Sequence, residues 1–130
     1  MTKEQYEIIG KKILDAAYEV HTQLGPGLLE SVYEICLVEE LENRGLKAKN
    51  QVALPVVYKG KKLNKDFFID ILVEDVIVIE LKAVEFLLSI HEVQTLTYMK
   101  LADKKLGFLL NFNVPHLKEG IKRKVNNYFY

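Results

Sequence analysis

The chain has 130 residues, nearly half of them hydrophobic and 28% charged, so a single domain over 1–130 with a real core is expected. Eighteen basic and eighteen acidic side chains leave no net charge, so bulk electrostatics do not mark a nucleic-acid binder. No run of about 18 apolar residues spans a membrane, the first residues lack an apolar signal segment, and the single cysteine, Cys36, has no internal disulfide partner. A cytoplasmic protein with a buried thiol is the expectation.

Thr2 and Gln5 have capping-box spacing ahead of Tyr6, Ile9, Ile13, Ala16, Ala17, Val20 and Leu24, which recur at steps of three and four. This predicts an amphipathic helix ending at Gly25-Pro26-Gly27. A second helix follows, with Leu29, Val32, Tyr33, Cys36, Leu37 and Leu41 on one face and Gly45 as its stop. From Leu46 the period changes. Gln51–Tyr58 reads as a strand, with Pro55 favouring an edge, and Lys59-Gly60 as a turn. Asp66–Val73 and Val76–Leu81 read as strands joined at Glu74-Asp75 in a tight hairpin, the second apolar on both faces and therefore central. Ser89 and Glu92 have capping-box spacing for a helix through about Leu101. Leu106–Phe112 is a further buried strand, and a strand, helix, strand order implies a crossover. The tail from Pro115 fits a short helix or an edge strand. Together these elements make an α/β fold, a small mixed sheet flanked by helices.

Charge is uneven along this order. Residues 1–50 carry six basic and nine acidic side chains, and 51–130 carry twelve and nine. Two clusters, Lys59, Lys61, Lys62, Lys65 and Lys118, Lys122, Arg123, Lys124, fit either phosphate contacts or ordinary solvated charge.

The residues that stand out chemically are Asp70 and, ten positions on, Glu80-Leu81-Lys82, set in two apolar strands. Charges there are costly unless paired or metal-bound. Asp70 and Glu80 supply the oxygen ligands that Mg²⁺ prefers, and the Leu81 carbonyl supplies a third. Lys82 shares a strand face with Glu80 and places a cation beside a phosphate or an attacking water. The same charges also fit a structural ion pair at a strand end. Gln94 and Tyr98 lie one helical turn apart; Gln94 is placed to orient a water or phosphate and Tyr98 to stack, or they are a surface Gln and a half-buried Tyr. Glu30 opens the second helix, where the helix dipole alone favours an acid, or where it becomes another metal ligand with Tyr33 facing the same way. The three histidines have no zinc spacing.

Gly27-Leu-Leu-Glu30-Ser-Val-Tyr33 reads G-x-x-E-x-x-Y. With Gly45-Leu46, Gln51-Val52, Asp70-Ile-Leu-Val73, Glu80-Leu-Lys82-Ala83, Gln94, Tyr98, Leu106–Phe112 and Gly120-Ile-Lys-Arg123, it resembles the GxxExxY proteins over roughly Tyr6 to Asn126. That family is placed in the PD-(D/E)XK nuclease-like superfamily. The resemblance implies a restriction-endonuclease-like core, with Asp70 and Glu80 as metal-binding carboxylates, Lys82 as the catalytic lysine, Glu30 as an added helical acid, and Gln94 and Tyr98 as a Q-x-x-x-Y pair. Ile69 stands where the superfamily pattern has proline.

The function expected is a Mg²⁺- or Mn²⁺-dependent nuclease that cleaves DNA, less readily RNA, through a metal-activated water. Gln94 joins the catalytic set, and Tyr98, Tyr33, Lys122 and Arg123 are the expected substrate contacts. A homodimer fits the two strands of a duplex, and no membrane is involved. The alternatives are a non-catalytic module that binds nucleic acid or protein with the same fold, and a hydrolase of small phosphate compounds, which needs a closed pocket.

Overall fold

Helix α1 spans Lys3–Leu24 in the computed structural model, which describes residues 1–129. The expected capping box opens it: Thr2 N–H donates to Gln5 Oε1 at 2.7 Å and Gln5 N–H to Thr2 Oγ1 at 3.2 Å. Helix α2 covers Glu30–Asn43. Strand β1 is Ala48–Tyr58, β2 Lys61–Val73 and β3 Ile77–Lys82. Helix α3 is Ser89–Leu101 and strand β4 Leu106–Asn111. The tail resolves both ways, as a 3₁₀ turn at Leu117–Gly120 followed by strand β5 at Ile121–Val125.

The sheet order is β1-β2-β3-β4-β5, mixed, with only β3 and β4 parallel. That parallel pair follows from the β3-α3-β4 crossover. β3 is central, as its unbroken apolar run predicts, and β1 with Pro55 is an edge. Both hairpin turns, Lys59-Gly60 and Glu74-Asp75, place two consecutive residues at positive φ, which matches the right-handed twist of the strands they join.

Two cores flank the sheet. The larger packs α1 and α2, through Ile13, Ala17, Tyr33, Leu37 and Leu41, onto Ile71, Ile79, Leu81, Phe108 and Leu110. The smaller joins α3 to the other face through Met99, Ile69, Leu72 and Val78. The predicted face of α2 is only partly right. Leu29 is 73% exposed and Val32 also faces solvent, while Cys36 is half-buried rather than buried. The helix is apolar on two sides, and tertiary packing selects the Tyr33, Leu37, Leu41 side. The capping box expected at Ser89 does not form. Leu88 precedes the helix, its N–H donates to His91 Nδ1 at 3.0 Å, and Glu92 bonds Lys124 instead.

Candidate active site

The β2–β3 ladder pairs Val73 with Ile77, Leu72 with Val78 and Ile71 with Ile79. The next positions would be Asp70 and Glu80, and there the strands splay. Ile69 belongs to the smaller core and Ile71 to the larger, so β2 turns over at Asp70. Across from it on β1, Gln51 sits at φ 51°, a left-handed conformation uncommon outside glycine. Local backbone distortion thus coincides with the charged residues, as it does at many functional sites.

Asp70 Oδ2 accepts the Leu81 N–H at 2.8 Å. The N–H and C=O of one strand residue point to the same side. The Leu81 carbonyl is therefore directed into the gap beside Asp70, while the Lys82 carbonyl accepts from Phe112 N on the β4 side at 3.0 Å. Glu80 is 7% exposed and its Oε1 has no hydrogen-bond partner among the described residues. Burial, then contact with Asp70, pushes the Glu80 carboxyl up to about 10, against a smaller opposing pull from Lys82. Glu80 is thus held neutral beside the Asp70 carboxyl group.

Glu30 joins this group from the start of α2. Its pKa is raised, first by burial and then by the Asp70 charge, with Lys82 acting against both and Glu34 adding to them. Its position is set by the turn before it. Gly27 takes φ 95°, and Tyr33, fully buried, donates its hydroxyl to Gly25 O at 2.6 Å and accepts Leu28 N–H at 3.1 Å. Tyr33 also stacks on Phe112 at 4.6 Å. The G-x-x-E-x-x-Y spacing is thus a strut. Gly27 allows the turn, Tyr33 ties the turn to the helix one turn on, and Glu30 lies between them. Tyr33 has no exposed surface for substrate, so it positions Glu30 rather than contacting a ligand, a correction to the sequence expectation.

Two residues that the sequence reading did not single out complete the surroundings. The Gln51 amide donates to Glu34 Oε1 at 2.8 Å and reaches Asp70 Oδ1 at 3.5 Å, the outer limit of a hydrogen bond. Glu34 thus holds Gln51 beside Asp70. Glu34, one turn after Glu30, was a readable signal; Gln51 was visible only within the family resemblance.

The remaining expected residues divide. Gln94 is exposed and donates to the Tyr98 hydroxyl at 3.2 Å; the Tyr98 ring lies 5.6 Å from Phe67 of β2. Lys122 is exposed and lines a cavity of about 430 Å³ with Glu85, Glu92, Asn111 and Glu119, beyond the carboxyl end of β4. Arg123 points to the opposite sheet face. It pairs with Glu7 at 3.1 Å and lies 4.9 Å from the centre of the Tyr128 ring. Lys124 is held by Glu92 at 2.5 Å. The tail cations therefore do not form one track, because strand alternation splits them between faces. Arg123 is a tie between β5 and α1, and its expected substrate contact is withdrawn.

Among the described residues no three His, Cys, Asp or Glu side chains are gathered closely enough to hold a metal ion together. The donor set nonetheless fits a hard divalent cation. It consists of oxygens alone, and one of them, Glu80 Oε1, is buried without a partner.

No helix among the described residues is long and apolar enough to cross a membrane. No curated protein and no solved structure matches the chain. A family model for the PD-(D/E)XK nuclease superfamily matches residues 7–124, and its span takes in Glu30, Asp70, Glu80, Lys82 and all of the sheet but Val125. With the strand pair splayed at its two carboxylates and a lysine two residues beyond the second, the chain belongs to the PD-(D/E)XK nuclease superfamily.

Proposed function

We propose that this chain is a Mg²⁺- or Mn²⁺-dependent nuclease that hydrolyses phosphodiester bonds in DNA, and that it falls in the GxxExxY group of the superfamily. The observation that carries the reading is the Asp70–Glu80 pair. A buried carboxyl at about 10 beside a second carboxylate, with one unpartnered oxygen, is a costly arrangement that a cation would relieve.

Asp70, Glu80, Glu30 and the Leu81 carbonyl would hold the ion. Once bound, it supplies Lewis-acid assistance to water attack and offsets charge that builds on the phosphate. The chain's own residues do the rest. Leu81 N–H fixes one oxygen of Asp70, and the Gln51 amide lies near the other. Glu80, held protonated by its burial, would give up that proton to serve as a ligand. Lys82, half-buried at the end of β3, brings an ammonium to the phosphate oxygens. Gln94 and Tyr98, bonded to each other on α3, are proposed to meet the substrate, as is Lys122. A homodimer would supply one site per strand of a duplex.

The test is cleavage of single-stranded, nicked, branched and blunt DNA, and of RNA, in Mg²⁺, Mn²⁺ or chelator, alongside Asp70→Ala. Metal-dependent cleavage that Asp70→Ala abolishes supports the reading. Absence of cleavage on every substrate leaves a binding module with the nuclease fold. Light scattering decides the dimer.

A further inference from the structure

The β1–β2 hairpin is far longer than the sheet needs. Only Ile71, Leu72 and Val73 of β2 pair with β3, yet β2 begins at Lys61 and pairs with β1 from Tyr58↔Lys61 to Ala48↔Val73. The base of this ribbon packs on α3 through Val52, Leu54, Ile69 and the Phe67–Tyr98 contact. Beyond that it has no strand neighbour on either side among the described residues. The register shifts between Pro55 and Val57, which adds twist near the tip.

The projecting part concentrates charge in a neutral chain. Residues 51–66 hold Lys59, Lys61, Lys62 and Lys65 against one acid, Asp66. They carry a net three positive charges, and the remaining 14 basic and 17 acidic residues carry a net three negative ones. None of the four lysines has an ion pair among the described residues. Lys61 and Lys62 are adjacent in a strand, so they point to opposite faces. Between the cations the ribbon exposes Val57, Tyr58, Leu63 and Phe68, with Tyr58 62% accessible.

A two-stranded ribbon fits the major groove of B-form DNA, which has phosphates along both walls, whereas the A-form major groove is too narrow. Lys65 is five residues along β2 from Asp70 and Lys61 nine, or about 17 and 30 Å at ~3.3 Å per residue. Those spans correspond to about half a turn and just under one turn of duplex. We propose that the β1–β2 arm lies in the major groove of B-form DNA and holds the duplex against the Asp70–Glu80 site. The inference rests on the nuclease reading and deepens it, because it names double-stranded DNA as the substrate.

The experiment measures binding apart from cleavage. Fluorescence anisotropy follows a labelled DNA duplex, the RNA duplex of the same sequence, and anionic phospholipid vesicles, all in chelator and over a salt series. The full chain is compared with the variant that combines Lys59→Gln, Lys61→Gln, Lys62→Gln and Lys65→Gln, and with the corresponding four Lys→Arg changes. Four lost phosphate contacts should flatten the log–log salt slope on DNA by about 3 to 4 and weaken binding on the order of 100-fold at low salt. The arginine variant should bind as the parent does, and RNA duplex binding should be weak and insensitive to the arm. Equal slopes for parent and glutamine variant would overturn the proposal, as would equal loss on both duplexes or arm-dependent binding to vesicles but not to DNA. Arm-dependent DNA binding without cleavage would refute the nuclease reading alone, and cleavage of duplex untouched by the glutamine changes would refute the arm alone.

Discussion

Replacing Glu80 with glutamine should make the metal-free protein more stable at neutral pH, although the residue lies in the core of the sheet. Glu80 is 7% exposed, with one unpartnered oxygen, and its carboxyl is pushed up to about 10 from 4.5, first by burial and then by Asp70. A carboxyl whose folded value is raised contributes its stability fully below the unfolded value and loses it as the pH climbs towards the folded one. Across the roughly 2.5 pH units from 4.5 to neutrality, at ~1.4 kcal/mol per unit, the native state gives up about 3 kcal/mol. Glutamine keeps the shape and has no proton to lose. The glutamine amide brings its own desolvation cost, so the slope is more diagnostic than the offset. Urea unfolding of both proteins in chelator, from about pH 5 to about pH 8, should show the variant gaining on the parent by ~1.4 kcal/mol per pH unit. Parallel stability profiles would refute the burial argument, and with it the view that the site is strained until a cation arrives.

Other consequences follow from the same contacts. Tyr33→Phe removes the tie between α2 and the Gly25–Leu28 turn; about 1 kcal/mol of stability should be lost in thermal melts, and Mn²⁺ affinity should fall because Glu30 is no longer held, whereas unchanged affinity would separate Tyr33 from the site. Gly120→Ala would drive a Cβ into the Asn111 carbonyl oxygen and should cost about 1 to 3 kcal/mol in urea unfolding; a neutral change would show that β5 shifts freely. Glu7 is held below the usual carboxylate range, chiefly by the Tyr128 hydroxyl and then by Arg123, while burial and Glu7 push Tyr128 up to about 12. Docking of the tail on α1 should therefore weaken as the pH falls below the ordinary Glu value, and again as it rises from 10 to about 12. The Tyr128 tyrosinate signal should titrate late, as should that of Tyr6, which burial and then Asp103 also raise, and Glu7→Gln should move the Tyr128 signal earlier.

Much of this fold is written in local pattern. The Thr2–Gln5 box, the 3.6-residue period of α1 and the apolar run of β3 each specify an element that tertiary contacts then keep. The D-x₉-E-x-K spacing located the carboxylates because charge inside apolar strands is rare without a reason. The face of α2 was not legible, because Leu29 and Val32 are as apolar as Leu37 and only packing chooses between them. The role of Tyr33 was hidden for a related reason: its partners are backbone groups of a preceding turn, and those leave no trace in side-chain chemistry. Arg123 was misplaced because a cluster in sequence alternates in space once it becomes a strand. Gln51 acts through a left-handed backbone that nothing in its residue type announces. The length of the β1–β2 arm was also underestimated, since the lysines of its tip read as turn residues rather than as strand.

The central claim is that Lys82 and the two carboxylates form a site that turns over. The most direct test is single-turnover cleavage of an end-labelled DNA duplex in Mn²⁺ by the parent and by Lys82→Ala, with duplex binding measured in parallel. The account predicts that Lys82→Ala keeps its affinity for DNA and loses cleavage by a factor on the order of 10² to 10³. Cleavage at the parent rate by Lys82→Ala would contradict it.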